Sequence, residues 1–214
     1  MRKSRIVPVD REAWVFAGIF AAVTAVLFMI NEFLGFIGVI LTGWCVYFSR
    51  DPDRVTPLQD SLIISPADGM VSNICKAKVP KELDLGDEEF TRVSIFLNVF
   101  NVHVNRIPIS GKLIKSEYHP GQFLNAAMDK ASDLNERHSY LVKSESGKKI
   151  PFVQIAGLIA RRIRCDVKEG DMVEAGARFG LIRFGSRTDV YLPKGIYPQV
   201  VEGQSMIAGE TVLA

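Results

Sequence analysis

Val167-Lys168-Glu169-Gly170-Asp171-Met172-Val173-Glu174-Ala175-Gly176 reads as a strand, a tight turn and a second turn. The spacing recurs in Val200-Val201-Glu202-Gly203-Gln204-Ser205-Met206-Ile207-Ala208-Gly209-Glu210. Both copies obey Glu-Gly-(Asp/Gln)-x-(Val/Met)-x-x-Gly. Turns at this density leave room only for short strands, which implies a compact β fold.

Outward from there the pattern stays β. Residues 178–184 and 188–192 are strand-like, as are 150–156, 139–142, 111–118, 70–78 and 61–65. Residues 92–107 form a long β-branched and aromatic run. Its odd positions, Val93, Ile95, Leu97, Val99, Asn101, His103 and Asn105, share one face if the strand is regular. That face begins apolar and ends polar, as a strand running from a core into a site would. Residues 80–89 read as an acidic loop, and 120–136 as the one helix candidate in this part. The expected class is mainly β, a barrel-sandwich or hammerhead-like domain similar to biotinyl and lipoyl domains, preceded by a hydrophobic helical hairpin.

The hairpin is read from two uncharged apolar runs, residues 13–30 and 33–48, interrupted by Asn31 and Glu32. Together they are too long for one spanning helix, and each alone is near the minimum for about 30 Å of hydrocarbon. The turn is expected at Asn31, Glu32 and Gly35. Arg2, Lys3 and Arg5 precede it and Arg50 and Arg54 follow, so both ends belong on the cytoplasmic side of the inner membrane. The hairpin either spans the bilayer or enters one leaflet. A signal peptide does not fit so long an apolar stretch without an Ala-x-Ala-like site. A soluble buried helix pair is the other reading. The division is therefore 1–48 for the anchor and 49–214 for the catalytic domain, joined by the charged, proline-bearing segment from Ser49 to Pro57.

Composition removes several classes. A net charge of +2 does not argue for nucleic acid. Cys45, Cys75 and Cys165 are odd in number and far apart, which suits neither a disulfide framework nor zinc. Asp129-Lys130-Ala131 matches the lysine that carries lipoate, but it sits in a helix-prone stretch without the expected hairpin, so modification of Lys130 is set aside.

Three residues could form a nucleophile, base and orienter set: Ser186 in Arg183-Phe184-Gly185-Ser186-Arg187, His103 in Val102-His103-Val104-Asn105-Arg106, and Asp68 in Ser65-Pro66-Ala67-Asp68-Gly69. Each has an ordinary explanation as well. Gly-Ser between strands is a turn, a histidine near a strand end is a satisfied core residue, and Pro-x-Asp-Gly is a turn by itself. Arg161, Arg162 and Arg164 read either as solvated surface or as contacts to lipid phosphate.

Taken in order, these motifs resemble the short form of the phosphatidylserine decarboxylase proenzyme family. The matching pieces run from Phe48-Ser49-Arg50-Asp51-Pro52 through the Asp68 and His103 segments, with Pro108 and Gly111. They continue with Tyr118-His119-Pro120-Gly121, Asn135-Glu136-Arg137, Gln154-Ile155-Ala156-Gly157 and Ala160-Arg161-Arg162-Ile163, and end at the Gly185-Ser186 segment. The resemblance implies self-cleavage between Gly185 and Ser186 into a β chain, 1–185, and an α chain, 186–214, that remain together as a heterodimer. It implies that His103 deprotonates Ser186, that Asp68 fixes the imidazole tautomer, and that Ser186 becomes a pyruvoyl group. That cofactor would condense with the serine headgroup of phosphatidylserine in the bilayer, release CO2 and yield phosphatidylethanolamine, with no metal. Longer members carry a second histidine where this chain has Arg106, so His103 serves both steps or Arg106 takes part of the second. Arg106, Arg162, Arg164 and His119 are the candidates for holding substrate. Three competing readings remain: another serine phospholipid such as an archaetidylserine, a membrane-tethered barrel-sandwich carrier or adaptor without chemistry, and a serine hydrolase.

Overall fold

The structure, a computed structural model, describes residues 7–57, 59, 61–124, 134–157, 162–183 and 185–214. It divides into two compact units, 1–53 and 54–214.

The first unit is a helix pair. Helix α1 spans Arg11–Ile30 and α2 spans Glu32–Phe48. Asn31 separates them in an extended conformation, and its side-chain oxygen accepts from the Phe33 N–H at 2.8 Å. This N-cap satisfies one of the donors that a helix start leaves open. Gly35 lies inside α2 rather than in the turn, and its role is packing: a Cβ there would stand 2.2 Å from the Phe28 ring. The Thr24 and Thr42 hydroxyls meet across the pair at 3.1 Å. Trp14, Ile19, Phe33, Phe36 and Ile40 are exposed. The Ala13–Ile30 stretch has 18 residues and a mean hydropathy of 2.4. At about 1.5 Å per residue it is long and apolar enough to cross a bilayer, whereas α2 is shorter.

The second unit is mainly β. Its strands are β1 (Gly69–Lys78), β2 (Glu89–Leu97), β3 (Val104–Arg106), β4 (Gly111–His119), β5 (Arg137–Lys143), β6 (Lys149–Ile155), β7 (Ile163–Cys165), β8 (Met172–Val173), β9 (Arg178–Ile182), β10 (Ser186–Leu192) and β11 (Ser205–Met206). Eight form one antiparallel sheet, ordered β11-β1-β2-β10-β6-β5-β4-β8, and three form a second, β3-β9-β7. The large sheet is curled: Met206 of β11 and Val173 of β8, at its opposite ends, bury into the same core cluster. That core is centred on Tyr140, Phe152 and Phe179. Tyr140 and Phe152 stack at 5.0 Å, and Phe179 stands edge-on to both.

The two Glu-Gly repeats do the same work at the two ends of this sheet. The Gly170 N–H donates to Leu113 and the Leu113 N–H to Asp171; the Gly203 N–H donates to Val71 and the Val71 N–H to Gln204. Gly176 then donates to Ile107, and Gly209 to Ser65. Strands β8 and β11 pair with Gly111 and Gly69 at the starts of β4 and β1, and both long strands shift register two residues later. Each start follows a Pro-x-x-Gly turn, Pro66 to Gly69 and Pro108 to Gly111. The sheet is thus two similar halves, β11-β1-β2-β10 and β8-β4-β5-β6, joined where β10 meets β6.

Several expectations are corrected. The run 92–107 is not one strand. Asn98 and Asn101 break it with side-chain caps, Asn98 to the Phe100 N–H and Asn101 to the Asn98 N–H. Asx turns of this kind compete with the ladder even inside a β-branched run. Residues 61–65 form only an isolated bridge, Ile64 to Val212. The helix expected over 120–136 falls largely outside the described residues, as does Lys130; its described ends are bridged, Gln122 to Asn135.

Phe152→Ala leaves a cavity beneath two rings. It should lower the stability of the detergent-solubilised chain by about 3–5 kcal/mol in denaturant titration; a loss under ~1 kcal/mol would contradict this account of the core.

Candidate active site

Ser186 opens β10, which is paired along both edges. Its residues 186–192 face 97–91 of β2, and 187–190 face 155–152 of β6. Alternation sends Val190 and Leu192 into the main core, and with them, on the same face, Ser186 and Thr188. Arg187, Asp189 and Tyr191 point the other way. The Arg187 guanidinium clasps the Asp189 carboxylate at 2.9 and 3.1 Å, and Arg92 of β2 approaches it at 3.9 Å. All of these charges are buried. A one-residue slip would drive Arg187 into the apolar core, so the ion pair selects the register that turns Ser186 inward.

Gly185 precedes the strand with φ +61°, and no atom lies within 4 Å of where a Cβ would stand. The backbone conformation, not the space, calls for glycine. Ser186 is 0 % exposed, and its hydroxyl has no hydrogen-bond partner among the described residues. Leaving a buried hydroxyl unsatisfied costs about 1–3 kcal/mol, so such a group calls for an explanation. A hydroxyl in that position is available to react.

His103 immediately precedes β3. Val102 and Val104 pack with Leu181 in a small cluster of their own. The alternate positions, His103 and Asn105, are buried on the opposite side. His103 Nδ1 lies 2.9 Å from the Asn101 carbonyl. A carbonyl oxygen only accepts, so Nδ1 carries the proton, and the neutral form of the ring has its lone pair on Nε2. That is the tautomer a general base needs.

The Asn101 carbonyl thus fixes the tautomer that was expected to depend on Asp68. Asp68 takes two hydrogen bonds from Arg54, at 2.8 and 2.9 Å, and one from the Ala208 N–H at 2.8 Å. In the other half of the sheet, Ser110 accepts from the Ala175 N–H at 2.9 Å. Asp68 and Ser110 occupy matching places, one residue before Gly69 and Gly111, and clamp matching points of the two Glu-Gly repeats.

The remaining candidates scatter. Arg106 is buried and donates to the Gly176 carbonyl at 2.8 Å, which ties it to a turn. Arg164 of β7 pairs with Asp166 at 3.0 Å. Arg162 is exposed, and Arg161 lies outside the described residues. His119 ends β4 exposed, at a cleft of about 620 Å³ that Arg92, Arg137 and Tyr191 also line.

Sequence reasoning missed two groups. In the first, Glu82 takes hydrogen bonds from Arg137 at 2.7 and 3.1 Å and from Ser139 at 2.9 Å. Burial pushes its carboxyl up, but these bonds and its own backbone N–H outweigh burial and hold it at about 2. In the second, the Tyr140 hydroxyl donates to Gln154 Oε1 at 2.6 Å, and Gln154 Nε2 donates to Asn105 Oδ1 at 2.7 Å. His138 stacks on Tyr140 at 4.5 Å, and burial lowers its imidazole to about 4. Only the polar residues Asn105 and Gln154 at inward positions hinted at this chain. Their partners are far apart in sequence.

A carrier domain presents its modified residue to solvent; here the Ser186 hydroxyl is buried, on a strand paired along both edges. Residues 41–214 match the family model for phosphatidylserine decarboxylase. The phosphatidylserine decarboxylase proenzyme of Ruegeria pomeroyi is 56% identical over 214 residues, covering 100% of this chain and 98% of its own. Those of Paramagnetospirillum magneticum and Rickettsia akari are also 56% identical, over 97% and 96% of this chain and 86% and 89% of theirs. The chain belongs to the phosphatidylserine decarboxylase family.

The two depressed pKa values act in one direction. His138 protonates near 6.5 when unfolded and near 4 when folded. Between those values the unfolded chain binds more protons, so stability falls as pH drops from 6.5 through 4. Glu82 continues the loss from its ordinary 4.5 towards 2. Denaturant midpoints should fall steadily below pH 6.5, and His138→Gln should flatten the upper part of the slope; an unchanged slope in that variant would contradict the assignment.

Proposed function

We propose that the chain is a membrane-bound phosphatidylserine decarboxylase that makes its own cofactor by cutting itself between Gly185 and Ser186. The observation that carries this reading is the sealed, unpartnered Ser186 hydroxyl directly after a glycine in the left-handed region.

His103 takes the hydroxyl proton on Nε2, and its Nδ1–H bond to Asn101 steadies the resulting imidazolium. Ser186 Oγ attacks the Gly185 carbonyl carbon. The C–N bond breaks, the proton passes to the freed amine, and an ester replaces the amide. Removal of the Ser186 α proton then breaks the Cβ–O bond. Gly185 leaves as a carboxylate, and residue 186 becomes dehydroalanine. Tautomerisation to the imine and addition of water release ammonia and leave a ketone. The residues fit the group: β2 and β6 hold its strand on both sides, and Thr188, two places along the same face, keeps a buried hydroxyl without a partner. Once formed, the pyruvoyl group supplies a ketone conjugated to an amide, which accepts the electron pair left when CO2 departs. Asp68 enters this proposal as the brace that fixes the start of β1, and Arg106 as the brace of the Gly176 turn. His119, Arg162 and Arg164 remain candidates for the lipid phosphate.

The ladders made by 186–206 account for a two-chain product that stays assembled: β10 lies between β2 and β6, and β11 pairs with β1. The apolar helix pair supports attachment to a bilayer. Basic residues on both flanks support a cytoplasmic placement of 54–214 at the inner membrane.

The test is incubation with phosphatidylserine vesicles, followed by lipid analysis and CO2 capture. The parent chain should yield phosphatidylethanolamine, and cyanoborohydride during turnover should fix a lipid adduct at residue 186. Ser186→Ala should remain one polypeptide with no product, and His103→Gln should cut at least about 100-fold more slowly. Decarboxylation by Ser186→Ala would overturn the proposal.

A further inference from the structure

Asn105 is 0 % exposed, and its amide oxygen is occupied by Gln154 at 2.7 Å. Its amide nitrogen is buried with no hydrogen-bond partner among the described residues. An amide NH2 can only donate, so this end asks for an acceptor that the resting fold does not offer. Three hydroxyls share that condition among the described residues: Ser186 Oγ and Thr188 Oγ1 of β10, and Ser94 Oγ of β2, across the ladder from Asp189.

Ladder pairing and the Gln154 bond link Asn105 to Thr188 and, along β10, to Ser186. Gln154 of β6 lies directly across the ladder from Thr188 of β10. Ser186 is two residues further along the same face, about 7 Å away. From the other side, Asn105 faces Gly180 of β9, whose missing side chain leaves room for Gln154 Nε2 to come within 3.2 Å of the Cβ position. His103 is two residues before Asn105 on the same side of the chain. The amide is also oriented. With the Tyr140 hydroxyl donating to Gln154 Oε1, Gln154 presents Nε2, and Asn105 must answer with its oxygen. Its nitrogen is then the end left without a partner among the described residues.

We propose that Asn105 Nδ2 is the donor for the oxygen of the Gly185 carbonyl as negative charge develops on it during self-cleavage, with Gln154 and Tyr140 as the residues that position it. This rests on the self-cleavage reading above. A buried, preset donor strengthens most where charge appears only in the transition state. It also explains why the fold keeps a polar chain in the floor of its core. The step is the attack already described: Ser186 Oγ bonds to the Gly185 carbon, the carbonyl π pair moves onto oxygen, and it returns as the C–N bond breaks. Asn105 gives up no proton.

The experiment follows the single-turnover conversion of freshly made full-length precursor in membranes, by gel, with and without hydroxylamine. Hydroxylamine cleaves an ester once formed but does not form it. Asn105→Leu removes the donor at constant size. Gln154→Glu replaces the positioning donor by an acceptor, which turns the Asn105 amide over. Both variants should cut about 100- to 1,000-fold more slowly than the parent, with hydroxylamine giving no rescue, while protease resistance of the precursor is kept. Cutting within threefold of the parent, or full rescue by hydroxylamine, would overturn the role of Asn105. Loss of protease resistance in Asn105→Leu leaves Gln154→Glu to decide on the same criteria. A parent chain that stays uncut sinks the self-cleavage reading instead.

Discussion

Strand β10 is hydrogen-bonded on both edges, and its register is chosen by a buried ion pair between Arg187 and Asp189. The rest of the site depends on that choice. With the pair in place on one face, Ser186 and Thr188 fall on the other, where the core seals them from water. An open strand edge would let the Gly185–Ser186 bond flex and would let the segment leave once cut. A strand held on two sides does neither. The same constraint serves both parts of the proposed chemistry, a rigid peptide before the cut and a retained α chain after it.

The large sheet supplies that environment by using one device twice. Each half begins with a Pro-x-x-Gly turn, runs into a long strand with an early bulge, and is closed by a Glu-Gly hairpin whose N–H groups reach back to it. The halves meet at β10 and β6, which puts the strand that carries Ser186 at the centre of the sheet instead of at an edge. The likeness also clarifies Asp68. Its bond to the Ala208 N–H repeats that of Ser110 to Ala175, so its position is accounted for by the scaffold, with Arg54 as an added partner.

What the sequence made legible was what is local. The helix pair followed from two apolar runs and a capping Asn31, and the turns followed from Glu-Gly spacing. The alternation that turned His103 and Asn105 to one side was visible although the strand carrying it was broken at Asn98. What could not be read is pairing over distance. Gln154 and Asn105 are 49 residues apart and meet only because β6 and β3 belong to facing sheets. The Asn101 carbonyl that sets the His103 tautomer is backbone, which no side-chain pattern announces. The partners of Asp68, Arg54 and the Ala208 N–H, were equally out of reach, because they lie 14 and 140 residues away in sequence.

The central claim is that one chain becomes two without coming apart, at the bond just before the buried Ser186. Mass spectrometry of a single detergent-solubilised sample, once under denaturing and once under native conditions, tests it most directly. The account predicts two polypeptides when denatured, 1–185 and 186–214, the smaller blocked at its amino end by a carbonyl, and one assembly holding both when native. A single unbroken polypeptide, or a native assembly that has lost the smaller chain, would contradict it.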